Sequence, residues 1–236
     1  MSGFLGVGFG FIVLSLGAVA AIVYALDVAL RRYRFPQRAR TAYGYLVGIS
    51  LLVYLTSLTV LVQTDYFARP DALPARVFGM FAAGVGVCIF LLLRPRFRQL
   101  LRALPERWLV GAQSYRMGTE GLLFLGYQFG FVPFQLTFYG FNQDIIVGIT
   151  AALGYFAFFG RGRMQFQIIL WNVFGMLLQF VLLANIIMSL PSRWQVFRNL
   201  PDAEFLVQVP FVWLPGFLMP LAVGLHLFSL LRAWRG

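Results

Sequence analysis

The chain has 236 residues, 60% of them hydrophobic and 11% charged, with a net charge of +11 and a mean hydropathy of +0.80. Soluble domains run at roughly 45–50% apolar and about 25% charged. The composition therefore excludes a water-soluble globule, and with it disorder, collagen and a disulfide scaffold. It predicts an all-α polytopic membrane protein, with residues 1–236 forming a single transmembrane domain.

A helix needs about 20 apolar residues to cross the hydrocarbon. Seven stretches qualify, near 5–30, 42–63, 77–93, 109–132, 144–160, 165–189 and 209–232, and predict a seven-helix bundle. No basic residue precedes the first apolar run, unlike a secretory signal, so that segment reads as a retained span starting outside. The lone cysteine, Cys88, cannot form an internal disulfide. All 19 basic residues are arginine, which removes lysine chemistry such as a retinal or pyridoxal Schiff base.

The arginines orient the spans. Arg31, Arg32, Arg34, Arg38 and Arg40 follow the first span, and Arg94, Arg96, Arg98, Arg102 and Arg107 separate the third from the fourth. Arg161 and Arg163 follow the fifth, and Arg232 and Arg235 the seventh. The opposite side holds Arg69, Arg76, Arg193 and Arg198, diluted by Asp65, Asp71, Asp202 and Glu204. The positive-inside rule then places the N-terminus outside and the C-terminus in the cytoplasm. Topology accounts for the basic charge, and no nucleic acid is needed as a partner. Trp108 and Trp234 fit the inner boundary, Trp194 and Trp213 the outer one.

Between Pro95 and Pro105, Phe97, Leu100, Leu101 and Leu104 fall on one helical face and Arg94, Arg98 and Arg102 on the other. This predicts a short amphipathic helix at about 95–105 lying on the cytoplasmic leaflet, for anchoring or for docking a partner. Gly79 with Ala83, and Gly148 with Ala152, are small pairs that let helices approach closely. No internal repeat is visible, which counts against transporter folds built from duplicated halves.

Polar residues inside spans are where chemistry is sought. In the fourth span Gln113, Arg116, Glu120 and Tyr127 fall within roughly 60° of one another around the helix, a stripe interrupted by Phe124. Arg116 and Glu120 either neutralise each other as an i, i+4 pair, with Arg116 snorkelling toward the cytoplasmic headgroups, or form a site for a charged ligand or proton. Asp27, Asn172 and His226 sit at similar depth in the first, sixth and seventh spans, Asn172 sharing its face with Gly175 and Gln179. With Arg116 and Glu120 they form an expected cluster in the inner half. His226 alone has an unperturbed pKa near neutrality, so it is either a proton-handling group or a hydrogen-bonded core residue.

The segment FQLTFYGFNQDII reads as the outer turn between the fourth and fifth spans, with Asn142 or Asp144 capping the fifth helix or forming a secondary site. Pro215 and Pro220 each remove a helical hydrogen bond from the seventh span, producing a kink for packing or a broken helix that holds a ligand. One histidine and one cysteine in different spans cannot make a zinc site, nor axial histidine pairs for haem, and there is no GxSxG elbow or P-loop. No metal and no cofactor are expected.

YRMGTE at 115–120, VPFQLTFYGFNQDIIVGITA at 132–151, WN at 171–172, SLP at 189–191, FVWLP at 211–215 and LH at 225–226 resemble a family of bacterial integral membrane proteins with no assigned activity. The resemblance covers about half the chain and implies a multispan bundle in a bacterial cytoplasmic (inner) membrane. It picks out Arg116, Glu120, Asn142, Asp144, Asn172 and His226. In the family's pattern an acidic residue and an arginine flank the turn glycine, where this chain has Tyr139 and Phe141.

Three functions follow as expectations. The first is binding or translocation of a small solute, lipid-like molecule or proton. In that scheme Arg116 holds an anion, Glu120 and His226 exchange protons, and Asn172 orients the ligand. The second is a non-catalytic membrane subunit or sensor whose polar residues specify packing. The third is an intramembrane enzyme acting on lipid. The bilayer is the expected partner in each, while a protein partner and the oligomeric state stay open.

Overall fold

The computed structural model describes residues 2–160 and 165–234; Arg161, Arg163 and Arg235 lie outside the described residues. The fold is all-α, 81% helical, with no strand among the described residues. α1 spans Ser2–Arg32, α2 Gln37–Val62, α3 Leu73–Leu93, α4 Pro95–Ala103 and α5 Glu106–Gly111. After a 3-10 turn at Ala112–Ser114 come α6 (Tyr115–Gln128), α7 (Asp144–Gly160), α8 (Gln165–Ser189), a π-helical turn at Leu214–Leu218 and α9 (Met219–Trp234).

Five helical units are long and apolar enough to cross a membrane: α1, α2, α3 with the turn before it, α8, and the π turn continued by α9. The fifth expected span, 144–160, is α7 at 17 residues, while the fourth is interrupted for local reasons. Residues 106–128 keep helical dihedrals through Gly111, Ser114 and Tyr115, but the backbone tightens at Ala112–Ser114 and splits the rod into α5 and α6. The rod ends at Gln128 rather than 132, because Gly130 adopts φ +77° and Phe131 and Val132 turn back to the Gly126 carbonyl.

The connection to α7 is not a surface turn. Val132, Gln135, Leu136, Thr137 and Asn142 are buried. Gly148 packs against Met117 and Gly111 against Tyr155, so α7 runs antiparallel to α5 and α6. By that register Asp144 lies abreast of Gly121, roughly 10 Å below the far end of α6. Gln135 Nε2 donates to Ser189 Oγ (2.9 Å), Asn185 Nδ2 to the Phe141 carbonyl (3.1 Å) and Asn199 Nδ2 to Gln135 Oε1 (3.0 Å), holding this re-entrant stretch in place. Phe211 closes the same end, its ring 4.9–5.6 Å from Phe4, Phe11, Phe131 and Phe205.

Prolines punctuate the other end. Arg94 and Leu104 are extended ahead of Pro95 and Pro105, as a following proline requires, and bracket α4. The apolar face of α4 packs on the bundle rather than on lipid alone: Leu101, Ala103 and Leu104 are buried with Ala29, Leu109 and Phe228. Arg232 caps its C-terminus by donating to the Leu101 and Leu104 carbonyls. Tyr33 donates to the Gln99 carbonyl (2.9 Å), so the arginine-rich ends of α1, α4 and α9 gather together, while Asp71 and Arg193 meet at the opposite end.

Large apolar side chains cover the outside of α1, α2 and α3, including Phe9, Leu46, Ile49, Val53, Val87 and Leu93. A continuous apolar surface of this kind suits hydrocarbon and not water. α2 buries Leu55 and Leu58 alone. The small pairs divide: Gly148 is at a helix contact, but Gly79 has no atom within 4 Å of a Cβ and does not mediate packing. Gly84 faces Pro220 in its place.

Candidate functional site

The 3-10 turn at Ala112–Ser114 and α6 together carry the polar stripe inward, as the spacing predicts, with Gln113, Arg116 and Glu120 all buried. Their partners differ from the local pairing. Arg116 makes no ion pair with Glu120 and does not snorkel. Its Nε donates to Asp144 Oδ2 (2.7 Å) and its Nη2 to Asp144 Oδ1, a two-pronged ion pair with the first residue of α7. The antiparallel register of α6 and α7 and the re-entry of residues 131–143 bring Asp144 to this depth.

The third prong of the guanidinium fixes the histidine. Arg116 Nη1 lies 3.0 Å from His226 Nε2, and His226 Nδ1 lies 2.9 Å from Asn172 Oδ1. Arginine has only protons to offer, so Nε2 accepts and the ring proton sits on Nδ1, donating to Asn172. That assignment is consistent around the network, because Asn172 Nδ2 then donates to the Ile168 carbonyl (2.7 Å) and Ser229 Oγ (2.9 Å). Gly175 makes room for the ring: a Cβ there would strike His226 Cε1 and Nε2.

Glu120 occupies the other flank. Asn142 Nδ2 donates to both carboxylate oxygens (2.8 Å each) and to the Leu136 carbonyl (3.0 Å), while Asn142 Oδ1 accepts from the Asp144 backbone N–H (3.1 Å). Asn142 thus supplies a cap to α7 and a cradle for Glu120 at once. Asp144 does not cap; it is the arginine's counterion. The cluster holds two carboxylates and one guanidinium, and the guanidinium is committed to Asp144.

Glu120 and His226 share no hydrogen bond; Asn142, Asp144 and Arg116 link them in the network. Asp27 does not join the cluster. Its carboxylate pairs with Arg31 (2.7 Å) and Arg40 (3.7 Å) near the end of α1. Gln113 Nε2 donates to the Ala222 carbonyl (2.9 Å), one of four side-chain bonds that reach the backbone around the prolines of the last helix, with the Cys88 thiol donating to the Pro220 carbonyl (3.8 Å). Tyr115 Oη donates to the Leu218 carbonyl (2.6 Å) and Tyr54 Oη to the Gly216 carbonyl (2.7 Å). Gly216 is four residues before Pro220, which has no N–H to give it. The freed carbonyl is therefore satisfied by protein, and the π turn continues into α9 without a break.

Sequence reasoning passed over Thr119, Tyr115 and Ser229 as members of the cluster. Thr119 lies one residue from the stripe and Ser229 is i+3 from His226, so helical spacing could have found both. A cavity of about 10 Å³ opens beside the ion pair, lined by Tyr115, Arg116, Thr119, Asp144, Gln179 and apolar residues of α8, the π turn and α9. No group of three or more metal-ligating side chains occurs among the described residues. Compared with protein-family models, with curated proteins and with solved structures, the chain matches none of them.

Proposed function

We propose that the protein is a bacterial inner-membrane bundle that takes up and releases a proton at Glu120. The observation that carries the reading is the partner count. Glu120 is 0% exposed and its direct polar contact is the Asn142 amide, while Arg116, the cation nearest in the network, is held by Asp144. An acidic group enclosed without its own cation is the usual mark of a proton-handling site in a membrane interior. Space favours a proton over a solute or lipid, since Glu120 is fully enclosed and the cavity beside the neighbouring Arg116–Asp144 pair has room for about one water molecule. In this reading Arg116 and Asp144 set the local field, and His226 and Asn172 are positioning residues that hold Arg116.

The test uses purified protein in liposomes of bacterial phospholipid carrying an internal pH dye and an imposed potassium diffusion potential. Wild-type protein should carry protons faster than empty liposomes, and Glu120→Gln should return the rate to the empty level. Equal rates for wild-type and empty liposomes would reject the reading. The second reading is a non-catalytic membrane subunit, favoured by the exposed faces of α2, which buries two residues in its whole length. Wild-type rates equal to empty liposomes, with a copurifying membrane protein lost on Leu46→Arg, would establish it instead.

The proposal includes seven crossings, counting the α5–α6 rod and α7, with the N-terminus outside and the C-terminus cytoplasmic. It also includes membership of the bacterial family that the motifs at 115–120 and 132–151 resemble. In a Cys88→Ala background, cysteines at Ser2 and in the 194–205 loop should label from outside in intact cells. Cysteines at Arg40 and Arg102 should label only after the cells are opened. External labelling of the 94–107 segment would invert the orientation.

A further inference from the structure

We infer that the cavity beside the Arg116–Asp144 pair is a binding site for a single resident water molecule, which forms part of the polar cluster. Two residues that line that cavity each hold a buried polar atom with no protein partner, Thr119 Oγ1 and Gln179 Nε2. Both residues are more than nine-tenths buried, at 6% and 1% exposed, so bulk solvent does not serve them. A buried amide N–H or hydroxyl left unpaired destabilises the folded state. The cavity volume of about 10 Å³ reaches the lower edge of what one water occupies, roughly 10–15 Å³ on the same measure.

The lining decides the chemical class of the occupant. A metal cation is disfavoured, because the Arg116 guanidinium and the Gln179 N–H both present positive ends to the space. Chloride and larger anions would meet the Asp144 carboxylate. Water satisfies every group: it accepts from Gln179 Nε2, donates to an Asp144 oxygen and exchanges a hydrogen bond with Thr119 Oγ1. Three bonds is the usual complement of a buried water. The water also answers a need of the ion pair, since a buried pair is stable only when its remaining lone pairs find donors. The site extends the hydrogen-bonded chain from α6, α7 and α9 to Gln179, one turn beyond Gly175 on α8. It rests on the cavity and not on proton exchange at Glu120, so a failed flux measurement leaves it standing.

Thr119→Val and Gln179→Leu keep shape while removing one polar group each, and thermal unfolding in detergent gives opposite signs for the two alternatives. With water in place, each variant strips it of a partner, and Tm should fall by about 2–4 °C. The double variant should fall by less than the two together, because the water is already lost in either single one. In a dry cavity each substitution removes an unsatisfied group, so Tm should rise and the two rises should add. A rise in either single variant overturns the proposal. If either variant fails to fold, a high-resolution structure of the wild-type protein decides: density for water within hydrogen-bond reach of Thr119 and Gln179 upholds the site, and an empty cavity overturns it.

Discussion

Arg116→Gln and Asp144→Asn should each cost about 3–5 kcal/mol of stability, because each leaves the opposite ion buried without its partner. Both residues are enclosed, at 2% and 4% exposed, so solvent cannot rehydrate the survivor. Yield of monodisperse protein and Tm in detergent read the effect. The double variant Arg116→Met/Asp144→Leu removes both charges while keeping bulk, and should recover most of the loss. What remains is the vacated acceptor at His226 Nε2, worth about 1–3 kcal/mol. Combining Arg116→Gln with Glu120→Gln should recover nothing, since no ion pair joins those two residues. Rescue by that combination, and not by the Asp144 one, would make Glu120 the arginine's counterion and dismantle the site as described.

That contrast marks where the sequence was legible. Helical spacing placed Gln113, Arg116 and Glu120 on one face, and a membrane requires such a face to turn inward; the three are buried. Asn172 and His226 were placed beside them from depth alone, and the Arg116–His226–Asn172 chain joins them. Spacing could not reveal the counterion. Its nearest acid along the helix is four residues away, whereas Asp144 is 28 residues away and arrives through the re-entry of residues 131–143. That re-entry is set by tertiary contacts of Gln135 and Phe141 with α8, which no local pattern encodes.

The bounds of the fourth span shifted for related reasons. Hydropathy averages over about 20 residues and does not register the tightened turn at Ala112–Ser114 or the early stop at Gln128, so two short rods, α5 and α6, read as one span of 109–132. Pro215 and Pro220 signalled a disrupted helix, yet the partner of the freed Gly216 carbonyl is Tyr54, 162 residues away. The amphipathic pattern at 95–105 showed which face of α4 is apolar, but not that α1 and α9 would cover it. In each case the local preference was readable and the group satisfying it was not.

The two small-residue pairs give the sharpest test of that distinction, because sequence treats them alike and the structure does not. Gly148→Ala should destabilise by about 1–3 kcal/mol or more, the cost of forcing extra volume into a filled contact. A Cβ at 148 would stand 2.7 Å from the Met117 backbone nitrogen and 3.3 Å from the Arg116 carbonyl carbon. Backbone cannot rotate aside as a side chain does, so α6 and α7 must separate. Asp144 is one turn from Gly148 and Arg116 adjoins Met117, so the separation falls directly on the ion pair. Gly175→Ala should be milder, since its Cβ meets the His226 ring and a side chain can move, though at the expense of the Arg116–His226 bond. Gly79→Ala meets nothing within 4 Å and gains helix propensity of up to about 1 kcal/mol. Tm should therefore rank Gly79→Ala at or above wild type, then Gly175→Ala, then Gly148→Ala. A Gly148→Ala protein as stable as wild type would mean that α6 and α7 do not cross there, and Asp144 would lose the register that carries it to Arg116.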